Sequence, residues 1–420
     1  MTNPRSREAG FTIVEMTVSL LVTVVLILGV LALFDFANRL SRVQTNVSDM
    51  QQSLRVSLQS AVRLVRMAGR GGLPLGTMPA GLGLAVRNNV PAGTRIGGPL
   101  TPLVLEGTDV ITVRGVFTTP LWQINSADPT SFTLANGPGG PVSGTVRVLP
   151  STPTGILQDR SALKAAFDNQ TPEALVLVSP RDANIYAVVE LDPVTSNFSG
   201  TDGWTIGFRI ASGTHTAQYL PLSRGGGWPA DLTSAAFVGL LEEYRFYVRD
   251  IREGTDFAPR FSQARVFPGT EVPHRTDHKD RPFLPNPENH ESWARDIADN
   301  VLDMQVALGF DSALGGGAMT DDEGDDGDDD RIFESADGLS DDWLYNDSGA
   351  FTPGNWNGRQ LYFVRLSILA RTDRRDPQHA SPEVDRIEDH DLAANALNQR
   401  TERMYRRRLL QTVIDMRNLG

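Results

Sequence analysis

Asp321, Asp322, Glu323, Asp325, Asp326, Asp328, Asp329 and Asp330 place eight carboxylates within ten positions. Oxygen-rich clusters of this kind suit a hard cation such as Ca2+, and Glu334 and Asp337 stand close enough in sequence to add ligands. The calcium-loop pattern D-x-[DN]-x-[DN]-G-x5-E fits the run in no register. Blocks of like charge are ordinarily solvated, so the run reads as an acidic surface loop with Ca2+ binding as the alternative. His274 and His278 stand four apart, with Asp277, Asp280 and His290 nearby. A helix would bring the two histidines to one face, but Pro268, Pro273, Pro282, Pro285 and Pro287 argue against a helix, and the segment reads as a solvated loop rather than a metal site. Ser161-Ala162-Leu163-Lys164 has the S-x-x-K spacing of an acylating serine. The partner motifs S-D-N and K-T-G are absent, and so are G-x-S-x-G, H-E-x-x-H and the phosphate loop. No catalytic constellation emerges, and the expectation is a protein that is not an enzyme. Arg400, Arg403, Arg406, Arg407 and Arg408 form a basic cluster near the C-terminal end, in keeping with a surface strand whose edge is guarded by charge.

The remaining chemically conspicuous residue is Glu15, which lies inside an apolar run. From Phe11 to Phe34 the only interruptions are Thr12, Glu15, Thr17, Ser19, Thr23 and Gly29. About 20 apolar residues suffice for one helix to span a bilayer. A carboxylate within such a span costs about 2.5 kcal/mol or more at the bilayer centre, so it normally has a partner or sits near the membrane edge. Arg5 and Arg7 precede the span and the next positive charge is Arg39, which places the N-terminus on the cytoplasmic side.

The run does not end as a secretory signal does, in a small-residue cleavage site. It continues into an apolar stripe at Phe36, Leu40, Val43, Val47, Met50, Leu54, Leu58, Ala61, Val65 and Ala68, whose spacing is that of one face of an α-helix. No proline occurs between Pro4 and Pro74, and Gly69, Gly71, Gly72 and Pro74 supply a stop. The expected helix covers residues 11–68, its first half suited to lipid or a helical bundle and its second to a globular domain.

Composition narrows the rest. The 420 residues carry 39 Lys+Arg against 51 Asp+Glu, for a net charge of −12, which argues against a nucleic-acid binder. Without cysteine there is no disulfide scaffold, thiol nucleophile or lipidated cysteine anchor. Strand-like runs stand at 109–116, 131–134, 145–149, 174–179, 185–191, 204–210, 241–248, 301–310 and 360–370, with short helices expected at 161–167 and 291–299. Residues 69–102 and 252–289 read as loops. Strands without regular intervening helices predict an α+β fold, an antiparallel sheet packed on the long helix.

Gly10-Phe11-Thr12-Ile13-Val14-Glu15 resembles the processing motif of type IV prepilins and pseudopilins. The resemblance implies cleavage between Gly10 and Phe11 by prepilin peptidase, N-methylation of Phe11, and a registry role for Glu15, which pairs with the N-terminal amine of a neighbouring subunit. Many pilins carry a proline midway along this helix; here only Gly29 can weaken it. Leu64-Val65-Arg66-Met67-Ala68-Gly69, the segment from Val301 to Asp311, Phe363-Val364-Arg365-Leu366-Ser367-Ile368-Leu369 and the closing segment from Tyr405 to Asn418 are similar, in order, to PilW-like minor pilins, relatives of the J-type minor pseudopilins of type II secretion.

The implied organisation is a leader at 1–10, a membrane-spanning and filament-core helix at 11–34, its amphipathic continuation at 35–72, and a globular domain at 73–420 with an acidic loop at about 312–358. The implied life history is a single-pass inner-membrane protein with a periplasmic domain. It then enters a pilus, primes assembly and sits at the tip. The implied partners are prepilin peptidase, other minor pilins, the major pilin, the inner-membrane assembly platform and a PilY-type tip adhesin. A J-type pseudopilin is the alternative reading.

Overall fold

A computed structural model of the chain describes residues 12–73, 82–98, 101–124, 128–151, 157–159, 161–168, 170–182, 184–198, 203–253, 256–274, 294–310, 343–345 and 361–416. Gly10, Phe11, His278, His290 and the acidic run with Asp321, Asp322, Asp325, Asp326, Asp328, Asp329 and Asp330 lie outside the described residues.

The long helix forms as the periodicity predicts. α1 runs unbroken over Ile13–Val65, about 80 Å at 1.5 Å per residue. Gly29 sits within it without a break. Met50, Leu54, Leu58, Ala61, Leu64 and Val65 are buried, and burying each of the larger ones contributes about 1.5–3 kcal/mol. Val43 and Val47 are half-buried, whereas Phe36 and Leu40 of the same stripe are exposed. Burial on the domain therefore begins near Val43, and the residues of α1 before it stay exposed. The helix exits through a turn tied to the domain by Gly69 N donating to Arg114 O and Val116 N to Arg70 O. Gly71 adopts φ +109° there, and a Cβ would meet the Val116 side chain at 2.9 Å, so both backbone and space call for glycine.

The strands in chain order are β1 Leu84–Arg87, β2 Val110–Gly115, β3 Trp122–Gln123, β4 Phe132–Gly137, β5 Gly140–Val148, β6 Ala174–Val178, β7 Tyr186–Asn197, β8 Trp204–Arg209, β9 Phe237–Arg249, β10 Arg252–Glu253, β11 Asp256–Phe257, β12 Arg260–Val266, β13 Ala294–Asp299, β14 Val301–Phe310, β15 Trp343–Leu344, β16 Leu361–Arg371, β17 Arg386–Ile387, β18 His390–Asp391 and β19 Arg407–Asp415. A short helix, α2, covers Ser161–Asp168. Every ladder is antiparallel. The α+β class is as expected: a long apolar helix followed by a globular antiparallel domain.

β9 organises the larger sheet. Its second half pairs with β2 and β12, and β12 pairs with β13. Its first half pairs with β6 and β3. From β6 the ladder runs through β7, β8 and β5, and a bridge between Ile124 and Val148 joins the end of β3 back to β5. That half of the sheet closes into a small barrel. Its interior holds Trp122, Val148, Leu175, Val189, Ile206, Phe208 and Val238, with Leu163 of α2 plugged against them. A second, separate sheet has the order β15-β14-β16-β19. The face of α1 from Met50 to Val65 packs into one core with Val113, Phe246 and Phe261 of the first sheet and Met304, Val306, Val364, Ile368 and Ile414 of the second.

Three expectations change. Residues 294–299 form β13, not a helix: pairing with β12 overrides the helix-like spacing of Ala294, Ile297 and Ala298. The expected loop at 252–289 contains β12, which pairs along most of its length with β9. The expected loop at 69–102 contains β1, paired to β2.

Candidate functional site

The described start of α1 is shaped by two side chains. Thr12 is the N-cap, with extended backbone, and its hydroxyl accepts from Glu15 N at 3.3 Å. The Glu15 carboxylate accepts in return from Thr12 N at 2.9 Å and from the Thr12 hydroxyl at 3.0 Å. Two helix-end N–H groups that otherwise lack partners are satisfied reciprocally. The sequence carried that signal as T-x-x-E, and reading Glu15 only as a charge in need of a partner overlooks it. Both residues are exposed, so the carboxylate lies on the surface of the helix.

From Ile13 to Leu40 every residue of α1 is exposed, including Ile13 at 86%, Leu33 at 72% and Phe34 at 65%. This stretch is long and apolar enough to cross a membrane. Large contiguous apolar surface of this kind calls for lipid or protein to cover it. The helix thus divides into a part that the domain buries and a longer part that it leaves bare.

The other sequence candidates are drawn into local structure. Ser161 and Lys164 do not act together: the Ser161 hydroxyl donates to Asp159 at 3.0 Å, and Lys164 pairs with Asp168 one helical turn on. His274 departs from the expected solvated loop. It is buried, and its Nε2 lies 2.8 Å from the Glu173 carboxylate, with its ring against Phe267. Among the described residues no group of three His, Asp or Glu side chains is placed to hold a metal. The basic cluster sits on and before the edge strand β19, as expected. Arg403 pairs with Glu383, and Arg406 pairs with Asp376 at 2.8 Å.

Residues 279–418 match the family model for type IV pilus-assembly protein W. No curated protein and no solved structure matches the chain. The match covers about a third of the sequence and supports a type IV pilus-related protein. Within the described residues it takes in β13, the whole second sheet and the edge strand β19, which form much of the surface that receives α1. It stops short of both α1 and the barrel.

Sequence reasoning missed the buried charges that lock these pieces together. Asp109, fully buried, accepts from Asn89 N at 2.8 Å and from Val306 N at 2.7 Å, while its own N–H donates to Met304 O. It thereby clasps the first sheet to β14 of the second. Burial pushes its carboxyl well above the usual carboxylate range, against the pull of the two N–H donors. Alongside, His390 Nδ1 lies 2.9 Å from Asp303, and Gln305 donates to Gly107 O at 2.9 Å. Burial lowers the His390 pKa, but the carboxylates of Asp303, Asp389 and Asp391 together more than offset this, so the imidazole is held above its ordinary value. On β9, Glu243 is buried between Arg114 at 2.5 Å and Arg245 at 2.8 Å. Burial pushes its carboxyl up, and the two guanidiniums together with Gly269 N–H pull it below the usual range. Satisfied by partners from distant segments, these buried charges help to hold the domain's pieces together.

Proposed function

We propose that this protein is a minor pilin, a non-enzymatic subunit that enters a type IV pilus and primes its assembly from the tip. The observation that carries the reading is the division of α1. Its bare apolar half is suited first to a bilayer and then to a filament core, and its other half is buried on a sheet that matches a pilus-assembly family. The same match favours a pilus over a type II secretion pseudopilus.

In this reading residues 1–10 are a leader on the cytoplasmic side, removed by prepilin peptidase between Gly10 and Phe11, and Phe11 is then N-methylated. The domain occupies the periplasm of a single-pass inner-membrane protein. Glu15 serves as the registry contact once helices bundle. In water its carboxylate is satisfied by Thr12; in a low-dielectric bundle a neighbouring amine becomes the stronger partner. Other minor pilins and the major pilin pack along α1, and the barrel faces a tip adhesin of the PilY type. A subunit at the tip carries nothing above it, which accommodates its bulk.

The test is the N-terminal sequence and intact mass of the protein from its native membrane. A chain beginning at methylated Phe11 supports the reading, and retention of Met1 or Thr2 in cells with active prepilin peptidase overturns it. Glu15→Gln separates the two roles of that residue. Glutamine can still close the capping box but carries no charge, so helix content should hold while filament entry falls. Co-purification with pilus subunits rather than secretion components checks the choice of filament.

A further inference from the structure

Where α1 lies on the domain, its outward side carries a row of cations. Arg55, Gln59, Arg63 and Arg66 stand 4, 4 and 3 apart and all are exposed, so they form one stripe along the helix. Gln59 and Arg63 also line a pocket of about 460 Å³. Val56 and Leu64 line it from the helix, and Phe117 and Tyr244 from the first sheet and the turn beside it. Those two rings meet edge to face at 5.7 Å and are half-buried. Arg265 of β12 and Arg295 of β13 complete the charged lining, which contains no acidic residue.

The charges here do not balance. Arg265 is buried and lies 3.3 Å from Glu242. The Glu242 carboxylate also accepts from Phe117 N at 3.1 Å, Thr118 N at 2.7 Å and the Tyr244 hydroxyl at 3.2 Å. At the base of the pocket, then, one cation and one anion answer each other. Arg295 donates to the amide oxygen of Gln263 at 3.3 Å. Among the described residues Arg55, Arg63, Arg66 and Arg295 have no acidic partner. Three uncompensated cations stand in a row and a fourth lies across the pocket on β13, in a chain whose net charge is −12.

Their layout selects the ligand. From Arg55 to Arg66 the row runs about 16 Å. That is too long for one small anion, and it is the length of an extended segment of about five residues. The pocket opens beside the middle of the row, at Gln59 and Arg63, and its apolar walls suit one large side chain. A nucleic-acid strand is disfavoured by the negative charge of the chain as a whole. We infer that this surface docks an acidic polypeptide segment, with carboxylates along Arg55, Arg63, Arg66 and Arg295 and a central apolar side chain in the pocket against Leu64, Phe117 and Tyr244. The surface lies on the domain-side half of α1, so the inference goes beyond the proposed function and holds whatever the bare half of the helix enters.

Binding of the acetylated and amidated peptide Glu-Glu-Phe-Glu-Glu to the full chain in a neutral detergent, measured by isothermal titration calorimetry, tests it. An exposed ion pair contributes up to about fivefold in affinity, and burying a phenylalanine side chain contributes about tenfold or more. Gln-Gln-Phe-Gln-Gln and Glu-Glu-Ala-Glu-Glu should each bind at least about tenfold more weakly. The double variant Arg63→Gln, Arg295→Gln should weaken the acidic peptide by about 10–25-fold with an unchanged circular dichroism spectrum. Arg400→Gln, at an exposed arginine outside the surface, should leave binding as it is. No binding of the acidic peptide, equal binding of its glutamine counterpart, or no loss in the double variant overturns the proposal. An oligothymidylate that binds as tightly as the peptide would make the stripe a general polyanion surface, and glutarate that displaces the peptide at equal concentration would make the pocket a small-anion site; either result also overturns it. The N-terminal mass reports processing separately, so failure here leaves the pilin reading standing.

Discussion

Asp109→Ala should loosen the clasp between the two sheets. The substitution strips acceptors from two backbone donors, Asn89 N and Val306 N. Val306 is fully buried and Asn89 half-buried, so the first N–H loses its partner outright while water can reach towards the second. A buried donor left unsatisfied costs about 1–3 kcal/mol. Relief from burying a carboxylate returns part of that, which leaves a net destabilisation of about 1–2 kcal/mol. Asp109→Asn keeps one acceptor oxygen but turns an amide N–H2 towards the other donor, so it should cost less than the alanine. Urea unfolding of the full chain in detergent micelles, followed by circular dichroism, measures both. The pH dependence adds a second readout. Because burial raises the folded-state pKa of Asp109 above its unfolded value, its contribution to stability is greatest when the group is protonated and declines as pH rises from about 4 through the folded value. Asp109→Asn should flatten that part of the profile. An unfolding free energy for Asp109→Ala within about 0.5 kcal/mol of the parent, compared near the transition midpoints where no long extrapolation enters, would refute the assignment of the clasp.

Further outcomes follow from the same geometry. Leu54→Ala, at a side chain 1% exposed in the α1 seam, should cost about 2–5 kcal/mol and raise hydrogen exchange on β16 and β14, whereas Leu40→Ala should change stability by less than about 0.5 kcal/mol. His390, with its pKa raised beside Asp303, contributes stability that is fully present below the ordinary histidine value of 6.5 and is lost as pH rises through its folded value; His390→Asn should remove that slope in a melting series from pH 6 upward. Thr12→Ala should lower the helix content of the first turns and cost about 1 kcal/mol, seen by amide exchange near Glu15.

The long helix was legible because 3.6-residue periodicity over so many turns has no competing explanation, and most strands were legible from β-branched runs between turn residues. What escaped notice is what long-range pairing decides. Ala294, Ile297 and Ala298 have helical spacing, and only β12 alongside makes them a strand; Asn300, at φ +59°, then turns the chain sharply into β14. β12 itself was hidden by the proline-rich residues on its far side. Glu242, Glu243 and Arg245 fall in the expected strand at 241–248, where alternating polar residues would ordinarily mark a face open to water. Both faces are in fact covered, because the arginines and backbone donors that satisfy these side chains come from segments as distant as Arg114, Phe117 and Gly269. Residues 10–15 resemble a processing motif, and the capping role of Glu15 lies in the same letters. Among the described residues the barrel is closed by a bridge between Ile124 and Val148, which no local pattern announces.

β9 has a mechanical consequence. One covalent strand is a stave of the barrel at its Phe237 end and a central strand beside β2 and β12 at its Arg249 end. A pull on the barrel along the direction of β9 is therefore transmitted through one continuous strand. It is carried along β9 and resisted by the flanking ladders loaded in shear, many hydrogen bonds at once, instead of being unzipped one at a time. Tension at the outer end would reach the seam of α1 as a load on a stiff beam, so the subunit would yield first where the helix leaves the domain.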